Sequence, residues 1–472
     1  MVGSWYWAPE YRQARAVCAH LVAAVYLLGF VNALRQFRPL AGEHGLTPAP
    51  RFLRAVGFRR SPSLFHLHYS DRALGAVAWA GVLLSSAALL GVVSALPLWA
   101  WTLVWLAMWV LYLSIVNIGQ IWYGFGWESL LLEAGFLVVF LGPAHTTPPA
   151  PVLWLLCWLL FRVEFGAGLI KLRGDSCWRD LTALHHHHET QPMPGPLSRF
   201  FHRLPGPLHK AEVLANHGTQ LVVPFALFAP QPIANVAAVL IVLTQCWLLL
   251  SGNFAWLNLI TIALAFAAMD DRLLRFPVPE TRDSPLWHQI LVLVVAAGML
   301  ALAHDPVRNM IGRNQVMNRS FNALHLGNTY GAFGTVTRTR YEVVIEGTSD
   351  HSGESGWREY EFPGKPGDPN RRPPQVAPYH HRLGWLLWFV AISPNYGRSW
   401  LPTLLRGLLH GDHQIRRLLR HAPFPAEPPA LVRVRLYRYH FANRQEHLRG
   451  AWWVRESAGE LIPAMSTADL PG

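Results

Sequence analysis

Apolar runs of the length a bilayer demands recur along this chain, and that feature limits the fold before any motif is read. A helix needs about 20 mostly apolar residues to cross the hydrocarbon of a membrane. Clear runs lie at 16–34, 72–93, 96–116, 152–169, 213–228, 233–250 and 286–304, with marginal ones at 129–141 and 255–269. The reading is a polytopic all-α membrane helical bundle of seven to nine segments, and no period repeats along it. Composition agrees: only 14% of residues are charged, against roughly 25% in a soluble domain. The 21 Trp suit the membrane–water interface.

Beyond residue 304 the pattern changes. "YEVVIEG" (341–347) and "WREYEFPG" (357–364) read as strands between Gly and Pro, and "LVRVRLYRYHF" (431–441) alternates with a period of two. "HHRLGWLLWFVAI" (380–392) is helical but too short to span, and "WLPTLLRGLLHGDHQIRRLLRH" (400–421) is amphipathic. The expected organisation is a multi-pass transmembrane domain over 1–304 and a soluble, strand-rich α+β domain over 305–472. The net charge of +12 is spread between apolar runs with no nucleic-acid motif, so interfacial anchoring is preferred to nucleic-acid binding. Four cysteines are too few for a disulfide scaffold. The first run lacks a small-residue cleavage site and reads as an anchored helix rather than a signal peptide. Seven arginines lie between the first two spans, from Arg35 to Arg72. The positive-inside rule places that loop in the cytosol and, with an odd number of spans, the C-terminal domain there too.

Ionisable residues inside spans are costly, so each is a functional candidate. In "LLCWLLFRVEFGAGLIKLRGDSCW", Glu164 and Lys171 share a helix face, with Gly168 between them and Arg162 pointing elsewhere. They either line a polar cavity, or Lys171 snorkels to the interface while Glu164 pairs with an arginine of a neighbouring helix. Glu128 and Glu133 lie about 140° apart on a helix and are no preformed carboxylate pair. Asn117, Gln120, Asn216, His217, Gln220, Asn253 and Asn258 read as hydrogen-bonding glue between helices. In the run His185–His188, His185 and His188 could chelate together on a helix, but no second ligand motif completes a set, so no metal and no cofactor are expected.

Several long strings together resemble the lipase maturation factor family over nearly the whole chain. They are "YGFGWESLLLEAGFL" (123–137), "GAGLIKLRGDSCWRDLTAL" (166–184), "ETQPMPGP" (189–196), "NHGTQLVVPF" (216–225) and "SGNFAWLN" (251–258), followed by "NTYGAFGTVTRTRYEVVIEGT", "WREYEFPGKPGD" and "PYHHRLGWLLWFVA". The resemblance implies a non-enzymatic, membrane-embedded folding and assembly factor for secreted lipases or similar hydrolases. It implies an extracytoplasmic C-terminal domain, against the charge rule. The membrane would be the endoplasmic reticulum in a eukaryote and the plasma membrane in a bacterium. Client contacts are expected at Trp357, Tyr360, Tyr437, Tyr439, Trp452 and Trp453, whose bland alternative is core packing. By family register His187 matches a single histidine, and the rest of the run is a local departure.

"GLIKLRGDSCW" (168–178) is also similar to the segment of vitamin K-dependent gamma-carboxylases that carries their catalytic lysine, with Lys171 at its place. That likeness implies the alternative: an intramembrane enzyme on a lipid-soluble substrate such as a quinone, with Lys171 as base and Glu164 and His187 beside it. A blander third reading is a lipid-binding protein or transporter.

Overall fold

The computed structural model describes residues 3–469. Among the described residues, six helices are long and apolar enough to cross a membrane: Pro9–Ala41, Asp71–Leu89, Leu98–Ile118, Ala150–Arg173, Ile233–Ser251 and Leu286–Ile311. The two marginal runs form shorter helices, Gly126–Val138 and Leu257–Ala265, both largely buried within the bundle. The run expected at 213–228 is broken instead: one helix, Gly206–Leu221, ends before Pro224 and a short turn, Val223–Ala226, follows. Proline lacks the amide that would continue the ladder.

The chain shuttles between two ends of this bundle. At one end Gln231 binds Tyr11 and the Ala268 carbonyl, Gln13 binds the Phe276 carbonyl, and Arg15 binds the carbonyls of Pro143 and Ala144. At the other end Gln36 meets Tyr379 and the His380 carbonyl, Gln120 meets the Thr47 carbonyl, and Arg173 meets that of Gly312. The N-terminal segment and the C-terminal sheet therefore sit at opposite ends, and the Arg-rich loop shares the end of the sheet.

The C-terminal part is one antiparallel sheet of order β2-β1-β3-β4, with β1 Arg340–Thr348, β2 Arg358–Tyr360, β3 Leu431–Phe441 and β4 Trp453–Met465. In β3, Val432 and Val434 are fully buried while Arg433 and Arg435, which alternate with them, are half-exposed, as a period of two requires. The Arg382–Ile392 helix packs on β1 and Leu401–Leu409 on β3. β4 was not anticipated, because its run of exposed residues from Glu456 to Glu460 carries no apolar alternation.

Buried ion pairs join sheet and bundle. Arg382 forms an ion pair with Glu128 at 2.7 Å and lies over the Tyr123 ring at 3.5 Å, and Tyr112 donates to the same carboxylate at 2.5 Å. Arg340 binds Glu342, which also takes Lys365, and donates to the carbonyls of Glu189 and Gln191. Asn253 donates to the carbonyls of Pro194 and Pro374 and accepts from the Val376 and Ala377 amides. The strings "ETQPMPGP" and "SGNFAWLN" are thus joints between the two parts.

Candidate functional site

Lys171 lies in the last turn of the Ala150–Arg173 helix, yet it does not reach the surface; it is 6% exposed. Its ammonium donates to Asn216 Oδ1 at 2.9 Å and Gln220 Oε1 at 2.8 Å, and sits 4.9 Å from the centre of the Trp178 ring. Both amides come from the Gly206–Leu221 helix, one turn apart, so each can face the same neighbour. That helix approaches because Gly168 has no side chain: a Cβ there would lie 2.7 Å from Leu221 Cδ2.

Glu164 is 1% exposed, and its Oε1 accepts from Gln245 Nε2 at 2.7 Å. Gln245 in turn takes a 2.7 Å bond from Asn258. Glu164 Oε2 has no partner among the described residues. The snorkelling lysine and the Arg-paired glutamate considered from sequence are both absent here. Arg162 pairs with Glu133 at 2.5 Å instead.

Between these side chains lies a cavity of about 730 Å³, floored by Glu164, Lys171, Asn216, Gln220, Gln245 and Asn258. Its outer wall carries Phe200, Leu208, Leu240, Leu243 and Trp247, all exposed. A volume in that range suits a small ligand. Its chemistry is amphiphilic: one ammonium, one carboxyl group and neutral amides at depth, aliphatic and aromatic groups at the mouth. The ammonium is held by neutral acceptors, so it can take the acidic or oxyanionic end of a molecule whose tail lies on the apolar wall.

His187 opens on the same cavity. Its ring meets Phe333 at 4.6 Å and lies parallel to Phe254 at 6.3 Å. Burial, with smaller contributions from His188 and Lys171, lowers its pKa from 6.5 to about 3, so it is a neutral imidazole. Sequence reasoning missed Gln245, a lone amide in the apolar run "LIVLTQCWLLL". It also passed over His209 and Glu212. The His185–His188 pair weighed from the sequence as a possible chelate does not come together; His188 gathers with His209 and Glu212 instead.

The expected client contacts divide by burial. Tyr360, Tyr439 and Trp453 are 5%, 1% and 1% exposed, which makes them interior residues rather than contacts. Trp453 stacks on Phe441 at 4.1 Å, and the Tyr439 hydroxyl donates to the Gly367 carbonyl. The face that carries Tyr439 and Trp453 is turned inward by the loop at 365–372 and the "ETQPMP" string, whereas Tyr360 lies on the opposite face with Ile345 and Val434. Trp357, Tyr437 and Trp452 keep accessible surface, each under an arginine: Arg433, Arg455 and Arg372 respectively.

Comparison with known proteins places this geometry. The chain matches the lipase maturation factor transmembrane domain over residues 13–276 and the lipase maturation factor C-terminal domain over residues 326–463. It is 40% identical to lipase maturation factor 1 of Bos taurus, covering 97% of this chain and 90% of that protein. Identity to lipase maturation factor 1 of Homo sapiens is 39%, over 97% and 88%. Identity to lipase maturation factor 2 of Homo sapiens is 30%, over 95% and 82%. No solved structure matches. With both parts matched in order and almost the whole chain covered, the protein belongs to the lipase maturation factor family.

Proposed function

We propose that this multi-pass membrane protein is a maturation factor that helps secreted lipases, or similar hydrolases, fold and assemble, and that its C-terminal sheet faces the client. The observation that carries the reading is the match of both parts to the family. The sheet adds a means. Strand β4 is 13 residues long, pairs among the described residues only with β3, and is exposed along its middle. An unpaired edge of that length is a template for a strand from another chain. The opposite edge, β2, has three residues.

The test is co-expression with a secreted homodimeric lipase, read as activity per mass of lipase released. Removing the whole C-terminal part is a poor experiment, because Arg382 and Glu128 bind each other in the core. Ala458→Pro is cleaner: Ala458 is exposed and has no registered partner on β3. Loss of activation by a folded Ala458→Pro variant is expected, and full activation would sink the docking edge.

The client-facing end is extracytoplasmic in this reading, in the endoplasmic reticulum of a eukaryotic cell or the plasma membrane of a bacterial one. The Arg-rich loop lies at that same end, so the charge rule predicts the reverse. With exposed Cys246 replaced by Ser, Leu448→Cys should react with an impermeant maleimide on intact membranes and Val92→Cys should not. The opposite pattern overturns the orientation.

A second reading, binding of an amphiphile, is favoured by the cavity and its lysine held only by neutral amides. Mass spectrometry of lipids co-purified with the protein should show an acidic species that Lys171→Met loses; an unchanged lipid profile removes it. Quinone chemistry has no further support: the relatives compared are all lipase maturation factors, and the likeness at 168–178 stands alone.

A further inference from the structure

Behind the cavity wall, three side chains from two helices converge. His188 comes from the Leu184–Thr190 helix, and His209 and Glu212 stand three residues apart on Gly206–Leu221. One ligand atom from each lies within 4.8 Å of the other two. His188 and His209 are both 1% exposed. Both ring nitrogens of His188, Nδ1 of His209 and Oε2 of Glu212 are buried with no hydrogen-bond partner among the described residues. Orphaned buried polar atoms are rare, and each costs roughly 1–3 kcal/mol. Three of the four, one from each side chain, can share a common partner.

The distances fit an ion better than a hydrogen bond. His188 Nε2 and Glu212 Oε2 are 3.7 Å apart, beyond hydrogen-bonding range. Bonds of about 2.0–2.1 Å to a tetrahedral metal put two ligand atoms roughly 3.3 Å apart. The outer partners are already set. Glu212 Oε1 accepts from Trp247 Nε1 at 2.7 Å, which turns Oε2 toward the imidazoles. His209 Nε2 lies 3.4 Å from the His202 carbonyl, to which it donates, leaving the Nδ1 lone pair free for an ion. Such second contacts orient ligands in metal sites.

We propose that His188, His209 and Glu212 form a site for a divalent transition metal of the zinc type. Two imidazoles and one carboxylate, without a thiolate, suit zinc, and three protein ligands leave a fourth position for water. Glu212 also lines the cavity, and its helix carries Asn216 and Gln220, the acceptors of Lys171. The ion therefore ties the histidine turn to the helix that cradles the lysine.

The test uses the full chain in detergent, stripped with a chelator and titrated with Co(II) alone, then with Zn(II). One equivalent should bind with the visible absorption of tetrahedral Co(II), be displaced by Zn(II), and raise the melting temperature. Glu212→Gln keeps an acceptor for Trp247 and should weaken binding at least about 100-fold; Trp247→Phe should weaken it about 10–100-fold. His185→Ala with His186→Ala should leave it intact. Absence of a stoichiometric site overturns the proposal. So does binding that survives Glu212→Gln and His209→Ala yet vanishes with His185 and His186, which would be chelation by the half-buried histidines only.

Discussion

Glu133 and Glu164 are buried carboxylates on two helices packed side by side, and their surroundings differ completely. Glu133 accepts from Arg162, from the amides of Gly327 and Asn328, from the Asn328 side chain and from the Tyr330 hydroxyl. Glu164 accepts from Gln245 alone, and one of its oxygens is orphaned. A charge enclosed by donors from a distant part of the chain is a fastener. A carboxylate left short of donors at the edge of a cavity is a place where something else can bind. Glu128, tied to Arg382 and Tyr112, belongs with the fasteners.

The largest effect should come from undoing a fastener. Arg162→Met leaves Glu133 buried without its counter-charge, and breaking one side of such a pair costs about 3–5 kcal/mol. Arg382→Met should act alike on Glu128. Thermal melts of detergent-purified protein, or loss of the monodisperse peak on size-exclusion chromatography, would show it. A variant as stable as the parent would erase the distinction between the two carboxylates.

How far this distinction was legible in the sequence depends on the range of the contacts. The pairing of Glu164 with Lys171 on one face followed from a spacing of seven on a single helix, a local property. The ends of β3 and the short apolar helix at 382–392 were legible for the same reason. What closes each site comes from far along the chain: Gln245 for Glu164, Asn328 and Tyr330 for Glu133, His209 for His188. No periodicity reports which distant residue will arrive. The burial of Tyr439 and Trp453 was hidden likewise, because a period of two shows that a strand has two faces but not which is covered. The six-residue joint at 189–194 stood out only by resemblance, since its work is to offer carbonyls to Arg340, and any sequence has carbonyls.

A smaller effect concerns acid. His187 titrates near 3 in the folded chain and at about 6.5 when unfolded, so between those values the unfolded state binds more protons. Stability contributed by its neutral form is complete above about pH 6.5 and is lost as pH falls toward 3. Its share amounts to about 2 kcal/mol between about pH 8 and pH 5. His325 and His381, lowered to about 4 by burial, add to the same slope. Melting temperature against pH should fall on acidification, and His187→Phe should flatten part of that fall. An unchanged slope would mean that the cavity wall admits water to the ring.

The smallest effect on stability, and the sharpest for the comparison, belongs to Lys171. Its two partners are neutral amides, so Lys171→Met removes a desolvated charge and orphans two acceptors at once. Relief of the buried ammonium and loss of hydrogen bonds worth about 1 kcal/mol each oppose one another. The net change should stay within about 1 kcal/mol of zero, a shift of only a few degrees. Methionine has nearly the same length, so the cavity keeps its shape. A fall as large as that of Arg162→Met would make Lys171 a third fastener. A stable Lys171→Met protein that no longer activates a co-expressed lipase would instead place the cavity in the maturation function, since the sheet proposed to face the client would be untouched.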